Sequence, residues 1–274
     1  MQSTDVLSRS ARSPDLTLTY GPLPGHVADL WLPPGDGTPH AIQWPLIVFL
    51  HGGFWRSAFD RKHVGPLAEA LAAGGFAVCC PEYRRVGQEG GGWPGTFDDI
   101  RSAVAVLPDA VTDATDRNVD LARVVLAGHS AGGHLALWAA SRLAAVPDPV
   151  AGAVVSLAGV CNLADCYRRR LGNNAAGELM GGGPDEFPDR YAVADPSLAL
   201  PLGVRLGLVH GTSDDRVPWE QSRDFGERAR VTGDQVSCVL LPAVGHFELI
   251  DPLSAAWPGV VAEFRSAADG LAHN

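Results

Sequence analysis

Lysine is almost missing from this sequence: of 21 basic residues only Lys62 is not an arginine. Arginine carries the same charge, so the bias reads as a coding preference and not as function. Positive charge is short overall. Thirty-one acidic residues face those 21, giving a formal net charge of −10, which argues against a nucleic-acid partner or a polybasic membrane surface. The five cysteines, Cys79, Cys80, Cys161, Cys166 and Cys238, are odd in number and lack metal-ligand spacing. Neither a disulfide framework nor a metal site is therefore expected, and no cofactor is implied. Cys79 and Cys80 lie inside an apolar run and read as buried free thiols, pointing to a reducing cytoplasm. No apolar run is long enough to span a bilayer. The opening "MQSTDVLSRSARSPD" has no apolar signal core, and no internal repeat is present. Composition leaves the oligomeric state unspecified.

What remains is a chain of 274 residues, enough for a single domain over 1–274 with a sizeable core. Near-continuous apolar runs at 45–50, 76–81, 123–128, 151–159, 204–210 and 236–242 have the pattern of parallel strands covered on both faces. Two earlier runs, 16–21 and 26–33, alternate more and suggest an antiparallel edge hairpin. Helical patterns at 61–73, 97–107, 131–145, 219–231 and 254–268 fall between them. Strand and helix in alternation predict an α/β domain with helices on both faces of a mostly parallel, eight-stranded sheet. Residues 162–196 break this rhythm. They are rich in Gly and Pro, too long for a plain connection, and are expected to form a small cap-like insertion over the site. The run Arg168, Arg169, Arg170 within them reads as a solvated helix face.

The chemistry concentrates in "VVLAGHSAGGHLALWAA", residues 124–140. A strand ends in Gly128-His129-Ser130-Ala131-Gly132 and a helix begins at once. A Gly two positions to either side of Ser130 suits a tight strand-to-helix turn that exposes the hydroxyl at the sheet's end. A serine hydroxyl is a weak nucleophile without a base, and the base needs an orienting group. Both occur downstream, in the chain order that accompanies this turn. Asp214 or Asp215 follows the strand at 204–210, and His246 follows the last strand. Acyl transfer also needs backbone N–H donors for the developing oxyanion. Ala131 supplies one, and "HGGFW" (51–55) supplies a second through Phe54 or Gly53. His51 is expected to brace that loop, and Trp93 to anchor its own. His134 reads as structural. Trp55, Tyr83 and Phe247 are candidates for substrate contact.

With these residues in place the chain resembles the α/β-hydrolase superfamily over nearly its full length. "HGGFW" followed by "GHSAGGH" is similar to the kynurenine formamidase and esterase branch. "HGTSDDRVPWEQS" is similar to the acid-bearing segment of prolyl-oligopeptidase-type hydrolases, whose H-G-x-x-D-x-x-V-P pattern implies Asp214 as the acid. The resemblance thus implies a serine hydrolase using Ser130, Asp214 and His246. Its substrate would be a small-molecule carboxylic ester or an activated amide such as an N-formyl aryl amine. Acyltransferases, cyclases and small peptidases use the same residues, and a non-catalytic ligand-binding scaffold is the rival from another class. Phe54 and Trp55 together are expected to narrow the acyl side, leaving the wider volume under 162–196 for the leaving group. Because no metal spacing is present, activity should survive prolonged dialysis against EDTA; loss restored by added zinc would contradict this reading.

Overall fold

The computed structural model describes residues 4–35, 43–116, 118–143 and 151–271. Its eight strands are β1 (Leu16–Thr19), β2 (Val27–Trp31), β3 (Trp44–Leu50), β4 (Ala77–Pro81), β5 (Val119–His129), β6 (Ala153–Leu157), β7 (Arg205–Gly211) and β8 (Val236–Leu241). They form one sheet in the order β1-β2-β4-β3-β5-β6-β7-β8. β1 and β2 run antiparallel at one edge, and β3 to β8 are mutually parallel. The helices are α1 (Gly65–Ala73), α2 (Gly95–Ala114), α3 (Ala131–Leu143), α4 (Leu163–Arg168), α5 (Leu171–Met180), α6 (Pro188–Ala194), α7 (Glu220–Thr232) and α8 (Trp257–Asp269).

The uniform apolarity of the central strands has a direct cause. Successive side chains point to opposite faces, and both faces are covered. On β3, Leu46, Val48 and Leu50 enter the core shared with α2 and α3, whereas Ile47 and Phe49 enter the one shared with α1 and α8. β5 divides in the same way, with Val124 and Leu126 on one side and Val125 and Ala127 on the other.

Of the boundaries that differ from expectation, two have a direct physical cause. β5 starts four residues early because its polar opening is accommodated by a register shift: Pro45 pairs with Asp120 but Leu46 pairs with Val124. α2 runs through Pro108, where the sequence suggested an end. Leu107, Pro108 and Val111 are all buried, so packing outweighs the one hydrogen bond that proline removes. The last two residues of the helix expected over 131–145 lie outside the described residues.

Residues 162–196 form α4, α5 and α6. Their apolar faces (Leu163, Cys166, Ala176, Leu179, Tyr191) join the larger core. Gly172, Asn173 and Asn174 all have left-handed backbone, with φ of 55°, 55° and 67°, conformations that Gly and Asn adopt most readily. Arg168, Arg169 and Arg170 are exposed. Cys79, Cys80, Cys161 and Cys166 are buried free thiols, with Cys238 half-buried. No helix among the described residues is long and apolar enough to cross a membrane.

The β5–α3 turn is the tightest point of the fold. Ser130 has φ +57°. A Cβ on Gly128 would lie 2.2 Å from the Gly132 carbonyl oxygen, and one on Gly132 would lie 1.9 Å from that of Leu50. Both obstacles are backbone, so neither can rotate away. Gly132→Ala is expected to destabilise the protein by about 3 kcal/mol or more, measurable by urea unfolding; a loss within 0.5 kcal/mol, the range of an ordinary surface change, would show that the turn can relax.

Candidate active site

The parallel strands bring their following loops to one edge of the sheet, and the candidate residues meet there. Ser130 ends β5, Asp214 lies beyond β7, and His246 lies in the loop after β8. His246 donates from Nδ1 to Asp214 Oδ2 at 2.6 Å. Asp215 instead is exposed and pairs with Arg216 at 3.2 Å. Ser130 and His246 border the same cleft, of about 200 Å³.

Asp214 is surrounded by donors. Oδ2 also receives His210 Nε2 at 3.2 Å, and Oδ1 receives the backbone N–H groups of Arg216 and Val217 at 2.8 and 2.9 Å. Burial alone would raise this carboxyl. The hydrogen bonds from His210 and His246, with the electrostatic attraction of the His246 ring, outweigh it and hold the carboxyl far below the usual range. His210 is itself oriented: its Nε2 lies 3.0 Å from the Val217 carbonyl, which can only accept, so Nε2 carries a hydrogen shared between Val217 and Asp214 while Nδ1 accepts from the Ser222 hydroxyl at 2.7 Å.

His129, the residue between Gly128 and Ser130, belongs to this assembly although the sequence reading assigned it no role. Its Nε2 donates to the His246 carbonyl at 3.0 Å. Burial, then the neighbouring His246, pushes its imidazole well below the ordinary value and keeps it neutral. Its position inside the serine motif was the available signal.

The "HGGFW" loop lies against the serine. A Cβ on Gly52 would come within 3.3 Å of Ser130 Cβ and 3.0 Å of the His129 carbonyl oxygen. Gly53, Phe54 and Trp55 then take φ of +115°, +51° and +56°, which turns successive amides out of any ladder. Neither the Gly53 nor the Phe54 N–H has an acceptor among the described residues. The Ala131 N–H opens α3, where no intrahelical acceptor exists.

His51 braces this loop. It gives Nε2–H to Glu82 at 3.0 Å and stacks on Tyr83, ring centroids 4.3 Å apart. Glu82 also meets Arg85 at 3.0 Å and Arg61 at 3.6 Å. Burial opposes its charge, but His51 and Arg85 overcome that and lower its carboxyl to about 2.

Two expected substrate contacts belong elsewhere. Trp55 is wholly buried and meets His134 edge-on at 5.2 Å, because its left-handed backbone turns the side chain into the core. Tyr83 is likewise buried, donating its hydroxyl to the His51 carbonyl at 2.8 Å. Both support the loop from beneath. Phe54 and Phe247 do line the cleft, so only one of the two adjacent aromatics can narrow it. No residue of 162–196 lines the cleft either. That segment's apolar side is used in the core, and Gly172 only abuts the Phe54 ring. The remaining wall comes from Thr4, Leu7, Phe59, His63 and Arg216, none of which carried a sequence signal. Val6, buried beside Leu7, and a bidentate contact of Arg9 with Asp251 hold the N-terminal turn in place. His134 donates Nε2–H to the Ala194 carbonyl at 2.9 Å, and Trp93 N–H to that of Leu179 at 2.8 Å.

Residues 28–228 match the BD-FAE family model. This chain belongs to the BD-FAE family. Esterase LipC of Mycobacterium tuberculosis is 29% identical over 248 residues, covering 85% of this chain and 59% of LipC. The chain thus spans about three fifths of that relative. Kynurenine formamidase of Drosophila melanogaster is 24% identical over 217 residues, covering 76% of this chain and 68% of its own. Among solved structures, an esterase B from Lactobacillus rhamnosis with a bound inhibitor superposes with TM-score 0.76 at 20% identity, over 96% of this chain and 90% of that one. The BD-FAE chain described here therefore has the α/β-hydrolase fold.

Glu82 offers a test of the loop's support. Its carboxyl titrates near 4.5 when unfolded and at about 2 when folded, so its stabilisation is complete above pH 4.5 and fades as pH falls toward 2. Glu82→Gln imitates the protonated form. It should cost about 3 kcal/mol at pH 7, and the gap to wild type in urea unfolding should close between pH 4.5 and 2. A gap independent of pH would refute the linkage.

Proposed function

We propose that this chain is a serine hydrolase that cleaves small carboxylic esters through an acyl-enzyme. The observation that carries the reading is the 2.6 Å contact from His246 Nδ1 to Asp214. It leaves Nε2 as the proton-accepting end of a ring that borders Ser130's cleft. His246 Nε2 takes the Ser130 proton as Oγ attacks the acyl carbon. The oxyanion receives N–H donors from Ala131 and from Phe54 or Gly53. The proton then passes from His246 to the leaving alcohol, and water repeats the sequence to release the acid. Asp214 keeps the imidazole in the required tautomer and stabilises the imidazolium between the two transfers.

The cleft of about 200 Å³ is small for a ligand site and favours a short acyl group. The likeness to LipC supports the ester, and the likeness to kynurenine formamidase supports a second substrate, an N-formyl aryl amide.

The test is labelling by a fluorophosphonate together with turnover of p-nitrophenyl acetate, butyrate and octanoate and of N-formylkynurenine. Ser130→Ala should abolish labelling and lower kcat on the order of 10,000-fold or more. Asp214→Asn should approach a loss of about 10,000-fold, with Asp215→Asn near wild type. Hydrolysis by Ser130→Ala at the wild-type rate, or the reverse order of the two Asn variants, would overturn the assignment.

A further inference from the structure

His63 stands in the cleft wall with no part in the hydrolysis described above. It lies in the short turn Arg61–Val64, which Asp60 caps by accepting Lys62 N–H at 2.9 Å. Its Nδ1 sits 2.6 Å from the Asp60 carbonyl oxygen. A carbonyl can only accept, so Nδ1 carries the hydrogen and Nε2 presents a lone pair. The ring is fixed edge-on against His51 and Phe59, with centroids 5.8 Å away in each case. Nε2 has no partner among the described residues and is not fully buried, and the His63 side chain lines both the cleft and an adjoining pocket beside Ser57 and Lys62. Burial, then the nearby His51, lowers the imidazole to about 4. At neutral pH Nε2 is an acceptor only.

Around it the wall is largely apolar, made by Leu7, Phe54, Phe59 and Phe247. An ester with a purely apolar chain would strip water from Nε2 and return nothing. One with a donor at that place would restore the bond. We propose that His63 Nε2 is a specificity-determining hydrogen-bond acceptor, and that the preferred substrates are short esters bearing a hydroxyl group. The inference rests on the ester-hydrolase reading above and adds its substrate class. The hydroxyl can belong to the alcohol or to the acyl portion, and the two are separable.

The experiment measures kcat/KM on two pairs of esters that differ only by a hydroxyl in place of a methyl. They are 2-hydroxyethyl acetate against propyl acetate, and ethyl glycolate against ethyl propionate. Wild type is compared with His63→Phe, which keeps the ring contacts, and with His63→Asn. The Asn amide can still donate to the Asp60 carbonyl but ends short of the Nε2 position. Intrinsic reactivity cancels when the ratio within a pair is compared between proteins. In one pair the wild-type ratio should exceed both variants' ratios roughly tenfold, the worth of one neutral hydrogen bond. The responding pair identifies the side that carries the hydroxyl. Identical ratios in all three proteins, for both pairs, would overturn the role of His63 alone. Failure of the wild type to hydrolyse any of the four would overturn the ester reading and this inference with it.

Discussion

Three backbone segments meet behind Ser130 with no room for a side chain between them. Gly128 at the end of β5, Gly132 in the first turn of α3 and the carbonyl of Leu50 at the end of β3 are in mutual contact. That contact sets the angle at which the helix leaves the sheet and keeps Ser130 at φ +57°. A non-glycine residue in this region costs roughly 1–2 kcal/mol, so the surroundings must hold it. They do so through three bonds. Ser130 N–H donates to Leu157, and the Ser130 carbonyl accepts from His134 and Val160. The "HGGFW" loop follows directly from Leu50, so the same contact fixes its distance from the serine.

The two loops that flank Ser130 use buried charge in different ways. Beneath the "HGGFW" loop, Glu82 collects His51, Arg61 and Arg85, and its charge is matched by hydrogen bonds and opposing charge. A buried carboxylate is tolerable only with such partners. Behind His246, Asp214 is held by two backbone amides and two imidazoles. The Val217 carbonyl sets the tautomer of His210, whose Nε2 hydrogen it shares with Asp214. His129 fixes the backbone of His246 from the other side. Position and protonation state are thus settled before any ligand arrives, which is the condition under which fixed donors are effective.

The cleft is shaped by parts of the chain far apart in sequence. The N-terminal turn contributes Thr4 and Leu7, the segment before α1 contributes Phe59 and His63, and the loops after β7 and β8 contribute Arg216 and Phe247. The segment 162–196 lies behind Phe54, where Gly172 meets the ring. Glu178 and the Asn173 carbonyl of the same segment also hold Arg56, just past the "HGGFW" loop.

The strand positions, the helices between strands and the serine turn were legible from the sequence because each depends on local rules. Apolar runs mark strands covered on both faces, and two glycines mark a turn without room for Cβ atoms. The choice of Asp214 over Asp215 needed a resemblance, since both carboxylates sit in the same loop; only one faces His246 while the other meets solvent. Trp55 and Tyr83 show where residue type misleads. Large aromatics beside a reactive loop suit substrate contact and core equally, and the left-handed run at Gly53, Phe54 and Trp55 turned one ring inward and left the other at the cleft. The roles of His63 and Leu7 had no local signature, and that of His129 only its place in the serine motif, because a hydrogen bond or a cleft wall between distant segments is set by where the sheet brings their loops. The sequence by itself determined the turn that presents Ser130; the tertiary structure decided what surrounds it, since only packing fixes the direction in which each side chain leaves the backbone.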